Sequence, residues 1–553
     1  MLMAAVSGAE TMISRAVDYS LGTQQGDGSW QSPPDPRITE TALGCLALSG
    51  LSDSASRYAV LRARSWLRTA DPQRHHPVAE YAERLLAALA GEATHREVTD
   101  VSHAEDLMPD VSAGPVLDSR HRMLGVLRAC GLPAPRADGR SGRPVDRGPI
   151  ALADADLRAV RSSVRTALDN AGASRTKPWA LVDLLAEHAL LEERFGEREE
   201  ADAAVRRLGS LQAPDGSFYG NPLSTSLACM ALTAVAPASA AHRRSQAYIL
   251  NSQQADGTWR FLTTDVWDTH LVVRAFRGEP AFDAQALGRA LEFLYRAQQP
   301  DGGWPCRRGL ESDNDTTAAM LLALTDIPEA AEAAQRALAY LARQQNAAGL
   351  WATWQDTNDP PAPDVIAHVL TALDRYEGRH TIATGAARRW LSEYAEHASH
   401  APEGWSASWY RGTPYAVCEI APALPPARRA VVAELRRLAM AQRHDGGWAP
   451  TSGTESLPSA TGLALTALNR ALRNSRAQAA LSYLSAEQQD DGSWPGRPEM
   501  LGPRPLLSHS RIQTHAFTVM GLRAVRSRLR APQQSTRTSW PREQTSSPGR
   551  GQV

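Results

Sequence analysis

Lysine is almost missing: of 59 basic residues in the 553-residue chain, Lys177 alone is a lysine. Nor is there a charge of one sign, since 60 acidic residues bring the formal net charge to −1. That balance removes any bulk electrostatic case for nucleic acid or an anionic membrane surface and leaves a small molecule as the expected partner. Cysteine is sparse: Cys45, Cys130, Cys229, Cys306 and Cys418 stand singly. Their spacing fits neither a zinc site nor a disulfide framework, and reduced thiols point to the cytoplasm. A run of roughly 18 apolar residues is absent, as is a basic stretch followed by an apolar leader, so neither a membrane span nor export is expected.

A 43% hydrophobic content and a length beyond the reach of one core predict two domains. The phrase Gln-x-x-Asp-Gly-x-Trp/Phe recurs at Gln24 to Trp30, Gln212 to Phe218, Gln253 to Trp259, Gln298 to Trp304, Gln442 to Trp448 and Gln488 to Trp494. A degenerate copy runs from Gln344 to Trp351. Apolar helices rich in small residues follow several copies, and repetition of this kind means stacked helix pairs. Aspartate and glycine build a turn, and the flanking Gln and Trp can clamp it to neighbouring helices. Alternation of amphipathic and nearly all-apolar helices predicts an all-α fold of α/α barrels with buried inner helices. Residues 105–148, rich in Pro, Gly, Asp and Arg, read as an irregular loop, and residues 531–553 as a disordered tail.

The repeat, together with Asp313-Asn314-Asp315-Thr316-Thr317-Ala318, resembles the squalene–hopene cyclase and class II terpene cyclase superfamily, with its QW motif and its Asp-x-Asp-Asp-Thr-Ala acid motif. Val266-Trp267-Asp268-Thr269 and Asp364-Val365-Ile366-Ala367-His368 match two further segments in the expected order. The resemblance implies two barrels: residues 1–20 as the first helix of the β domain, 21–234 as an inserted γ domain, and 235–530 as the rest of β. It implies an isomerase that closes rings by protonating an isoprenoid double bond. Thr316 stands where the family has its fourth acidic residue, a variant similar to that of class II sesquiterpene cyclases. Farnesyl diphosphate is therefore the expected substrate and a bicyclic drimane-type diphosphate the product, with a C20 substrate giving a labdane-type diphosphate as the alternative.

Protonating an unactivated alkene demands an acid far stronger than a carboxyl group in water. Asp315 sits at the start of an apolar helix, where the macrodipole and free amides favour the anion left behind. The resemblance makes Asp315 the proton donor and hydrogen-bonds it to His368. Asp364, one helical turn before His368, is positioned to hold the imidazole charged, giving a relay of Asp364, His368 and Asp315. Asp313 and Asn314 are expected to position Asp315. Aromatic faces stabilise carbocations by about 0.5–2 kcal/mol each, and Trp267, Trp304, Trp354, Trp409, Tyr410, Tyr415 and Phe517 are candidates. Lys177-Pro178 followed by Glu187 is similar to the segment carrying the diphosphate-binding lysine of class II diterpene cyclases, and Arg307 and Arg308 are further candidates. The diphosphate and the family imply Mg2+, with Glu40 as candidate ligand. The aspartate-rich metal motifs that ionise a diphosphate in class I synthases are missing from the sequence, so the diphosphate is expected to survive. A non-catalytic helical scaffold is the alternative of a different class.

Overall fold

The computed structural model describes residues 2–91, 119–130, 154–173, 176–355, 359–469, 471–502 and 505–530. Most of the expected loop at 105–148 and the whole segment 531–553 lie outside them. The described chain is helical apart from one short antiparallel pair, Met500–Leu501 with Leu507–Ser508.

Two buried cores divide the molecule. One gathers apolar residues from Ile38 to Trp259; the other joins Ala9–Val17 and Trp30 to residues from Val266 to Val525. Ile249 and Trp259 thus pack in the first core, whereas the sequence reading placed its division at 234/235. In the first unit the helices Ile38–Ser49, Pro77–Leu89, Ser119–Ala129, Pro178–Phe195 and Pro222–Val235 pack each against the next, and the last returns to the first. In the second, Asp265–Phe276, Asn314–Leu324, Pro363–Arg375, Thr413–Ile420, Pro458–Leu468 and Arg511–Arg530 close a ring in the same way. These inner helices can be apolar on nearly every side because a second layer covers them: of Asn314–Leu324, all but Leu322 is buried. The outer helices are amphipathic, as in Ala331–Gln344, where Ala334, Leu338 and Leu341 point inward and charged residues point out.

The repeats explain how the layers are held. In each tryptophan copy the indole Nε1 donates to the carbonyl ten residues earlier, at 2.7–2.8 Å: Trp30 to Ser20, Trp259 to Ile249, Trp304 to Leu294, Trp351 to Leu341, Trp448 to Leu438 and Trp494 to Leu484. The glycine that follows the aspartate adopts φ 94° at Gly28 and 90° at Gly302, a region open to glycine at little cost. The glutamine Nε2 donates across to the next helix, as from Gln298 to Ala333 O. In the degenerate copy Gln345, not Gln344, makes this contact, bonding Gly349 O and Ala383 O. Trp405 bonds Ala395 O at 2.9 Å and is a further staple that no repeat phrase announces.

At one seam of the second ring, Gly462 and Gly521 lie back to back: a Cβ on either would strike the backbone of the facing helix. The helix Leu2–Thr23 packs on this ring's last helix, Arg511–Arg530.

Candidate active site

Asp313 caps the helix Asn314–Leu324, accepting from Thr316 N at 2.6 Å, Thr316 Oγ1 at 2.8 Å and Cys306 N at 3.0 Å. Burial, with a contribution from nearby Asp315, pushes its carboxyl up to about 8. Thr316, where the family carries an acid, serves as donor to this cap. Asn314 is pinned by its amide N to Thr353 O and by Nδ2 to Ala352 O, both at 2.9 Å. Asp313 and Asn314 therefore fix the first turn, and Asp315 is left to face the ring interior.

His368 Nδ1 lies 2.6 Å from Asp315 Oδ1. The other carboxyl oxygen of Asp315 forms no hydrogen bond among the described residues. His368 Nε2 lies 3.0 Å from Glu419 Oε2. Burial opposes charge on the imidazole, but the two flanking carboxylates overcome it and raise His368 to about 10. The ring is thus an imidazolium at neutral pH, donating from both nitrogens.

The expected relay needs one correction. Asp364 shares the helix Pro363–Arg375 with His368 but does not bond it; its Oδ2 accepts from Ser408 N at 3.0 Å and Trp409 N at 3.2 Å. The partner that orients the imidazole is Glu419, on the neighbouring helix Thr413–Ile420. Spacing within one helix correctly put Asp364 beside His368, but it could not see a carboxylate arriving from the next helix of the ring. Glu419 in turn pairs with Arg274 at 3.2 Å, and neither residue carried a signal in the sequence.

A cluster of four aromatic side chains extends from His368. Trp267 lies 6.4 Å from His368 and 6.4 Å from Tyr410, measured between ring centroids. Tyr410 stacks on Tyr415 at 4.3 Å, and Phe517 meets both edge-on. A polar chain holds this wall: Trp267 Nε1 donates to Tyr410 Oη at 2.7 Å, Tyr410 Oη to Gln513 Oε1 at 3.0 Å, and Gln513 Nε2 to Asp268 Oδ1 at 2.8 Å. Burial pushes Asp268 up to about 7. Trp354 sits elsewhere, edge-on to Trp409 at 5.8 Å and to Trp179 at 5.6 Å, where the two units meet.

Other candidates have different partners. Trp304 is wholly buried and stapled to Leu294 O, so it belongs to the framework and not to the wall. Arg307 donates to Tyr219 O at 3.1 Å and Gly220 O at 3.3 Å, tying the units together. Arg308 bridges Asp265 at 2.7 Å and Asp27 at 2.8 Å. Both guanidinium groups are engaged within the protein. Lys177, before the helix Pro178–Phe195, is buried; it pairs with Glu311 at 2.9 Å and bonds Gln355 O, both in the second unit. Both carboxylate oxygens of Glu40 are taken by Arg37, whose Nη1 reaches Gly502 O at 2.6 Å. Glu40 is thus a junction residue and does not suit a metal. No cluster of three His, Cys, Asp or Glu suited to a metal occurs among the described residues, and no described helix is long and apolar enough to cross a membrane.

Comparison with known proteins agrees with this architecture. The chain is 27% identical to a drimenyl diphosphate synthase of Streptomyces showdoensis over 94% of each chain. It is 31% identical to a drimenyl diphosphate synthase of Streptantibioticus cattleyicolor over 49% of this chain and 44% of that one. In fold it resembles the ent-copalyl diphosphate synthase of Streptomyces platensis, with a TM-score of 0.61 at 18% identity, covering 94% of this chain and 99% of that one. The model of the prenyltransferase alpha-alpha toroid domain matches residues 163–380 and 413–502, more than half of the sequence, and the chain belongs to that family.

Proposed function

We propose that this protein is a class II terpene cyclase that converts farnesyl diphosphate to a bicyclic drimane-type diphosphate. The observation that carries the reading is the Asp315 carboxyl: one oxygen is held by the His368 imidazolium, whose ring lies 6.4 Å from Trp267, and the other has no hydrogen bond among the described residues. Asp315 gives its proton to the terminal alkene, and the imidazolium stabilises the carboxylate that remains. The alkene π electrons then close the rings in turn, and the cation migrates along the folded chain. Trp267, Tyr410, Tyr415 and Phe517 offer ring faces to that cation without a nucleophile strong enough to trap it. Exclusion of water by the closed ring of helices protects it from quenching. Loss of a proton from carbon ends the reaction with the diphosphate intact. The overall change is an isomerisation.

Lys177, at the junction of the two units, is our candidate for gripping the diphosphate by exchanging Glu311 for it. Mg2+ enters this reading as a counterion carried by the substrate, because the Glu40 carboxylate is committed to Arg37. Farnesyl diphosphate is favoured by the two curated relatives, both named drimenyl diphosphate synthases.

The test is to incubate purified protein with Mg2+ and, separately, farnesyl diphosphate, geranylgeranyl diphosphate and squalene, then identify products by mass spectrometry before and after phosphatase. A bicyclic C15 alcohol released only by phosphatase is expected. A labdane alcohol from the C20 substrate would move the assignment to a diterpene cyclase, and no turnover of any of the three would sink it.

A further inference from the structure

The backing of the acid extends two residues beyond its motif. Glu419 Oε2 receives His368 Nε2 at 3.0 Å on one side and Arg274 Nη1 at 3.2 Å on the other. Neither Glu419 nor Arg274 hydrogen-bonds Asp315; His368 intervenes. The charges alternate along this file: Arg274 positive, Glu419 negative, His368 positive, then Asp315. Burial works against an ionised Glu419, but Arg274 and then His368 hold its carboxyl well below the usual range.

The order of charges has a consequence for acidity. Glu419 alone behind His368 would largely cancel the imidazolium as felt at Asp315, and the acid would gain little. With Arg274 in place, Glu419 is cancelled instead, and three groups summing to +1 stand behind Asp315 in a poorly screened interior. The other titratable groups near His368 are shifted towards their neutral forms. Burial, reinforced by Arg274, lowers His270 to about 3 and keeps it neutral. Burial raises the Tyr410 and Tyr415 hydroxyls well above their ordinary value. Asp364 is raised by burial and then by Asp315, and burial raises Asp313 to about 8, both shifts being towards the neutral acid.

We propose that Arg274, acting through Glu419 and His368, sets the strength of Asp315 as a proton donor, and that Arg274 and Glu419 are positioning residues for the protonation step. This rests on the reading of Asp315 as the acid.

The charge argument predicts an unusual pattern among variants. Arg274→Met should lower kcat by about 30- to 100-fold with KM within about twofold, whereas Arg274→Lys should stay within a few-fold of wild type. Glu419→Gln should bring the alkaline limb of the kcat profile down by about two pH units, because His368 loses a carboxylate. The double variant Arg274→Met/Glu419→Gln restores the +1 sum while His368 is charged, so at pH 6 it should outperform Arg274→Met by about tenfold. A packing role for these side chains predicts the reverse, a double variant no better than the worse single one. Wild-type kcat in Arg274→Met, equal damage in Arg274→Lys, or an unrescued double variant overturns the proposal.

If Arg274→Met does not fold, Glu419→Gln decides: a shifted alkaline limb supports the proposal, and an unmoved one overturns it. Titration of 15N-histidine-labelled protein by NMR, with the His368 signal assigned by its loss in His368→Asn, reads the same file without substrate. A His368 that titrates near its ordinary 6.5 refutes the charge order. A wild-type enzyme silent on every isoprenyl diphosphate, with His368 charged to about pH 10, counts against the proposed function and not against the charge order.

Discussion

The two rings are built from one repeat, and both bury carboxylates on their inner helices, yet they treat them differently. In the first ring Glu40 is met by Arg37, Glu187 by Arg122, and Glu192 by both Arg161 and Arg165, while Glu83 accepts from Thr39 Oγ1 at 3.3 Å and Gln73 N at 2.8 Å. In the second, Asp315 is met by a single imidazole on one oxygen only. A guanidinium fork satisfies a carboxylate and fixes it as an anion. A histidine that must itself be held charged leaves the carboxylate able to carry and release a proton. Burial of an acid is therefore common to both rings, and the choice of partner separates framework from chemistry.

Substitutions in the two rings should separate these roles. The largest effect belongs to Asp315→Asn, which should lower kcat by about a thousandfold or more while the protein melts within a few degrees of wild type; wild-type-like turnover in a folded variant would refute the mechanism. Its counterpart in the first ring is Glu40→Gln, which strands a buried Arg37 and should cost about 3 kcal/mol of stability by denaturant melting, with kcat retained. At the junction, Lys177→Ala should raise KM for the diphosphate about tenfold, and an unchanged KM would remove Lys177 from the substrate site. A pH test sharpens the contrast further. His368 is raised from 6.5 to about 10 on folding, so its contribution to stability is complete below pH 6.5 and is lost as pH rises towards 10. The difference in melting temperature between wild type and His368→Gln should narrow across that window, while the Glu40→Gln difference should not. Smallest of all, Trp304→Phe should cost about 1 kcal/mol through the orphaned Leu294 carbonyl and leave the product distribution untouched.

Much of this was legible in the sequence. The repeat dictated helix pairs and stapling tryptophans, and the acid motif with its matched histidine led to two side chains that meet at 2.6 Å across 53 positions. What escaped were partners brought by ring closure. Glu419 and Arg274 sit in ordinary helical contexts, and only the closed ring brings Glu419 to His368 and Arg274 to Glu419. Trp304 carries two readings in the sequence, lining as an aromatic near the acid motif and staple by its place in the repeat, and its bond to Leu294 O decides for the staple. Arg307, Arg308 and Lys177 each meet a partner within the protein that no sequence pattern announces.

The back-to-back glycines also bear on how the molecule comes into being. The first ring has all its inner helices once synthesis passes Val235, and it can shut while the rest of the chain is still emerging. The second ring needs Arg511–Arg530 to slide Gly521 against Gly462 and to receive Leu2–Thr23, the earliest helix made. Until then its apolar inner helices stand open on one side, a long-range closure of the slow and aggregation-exposed kind. A nascent chain stalled short of residue 511 should therefore hold a finished first ring beside an unfinished, sticky second one, and the cell's chaperones would meet the enzyme in that half-built state.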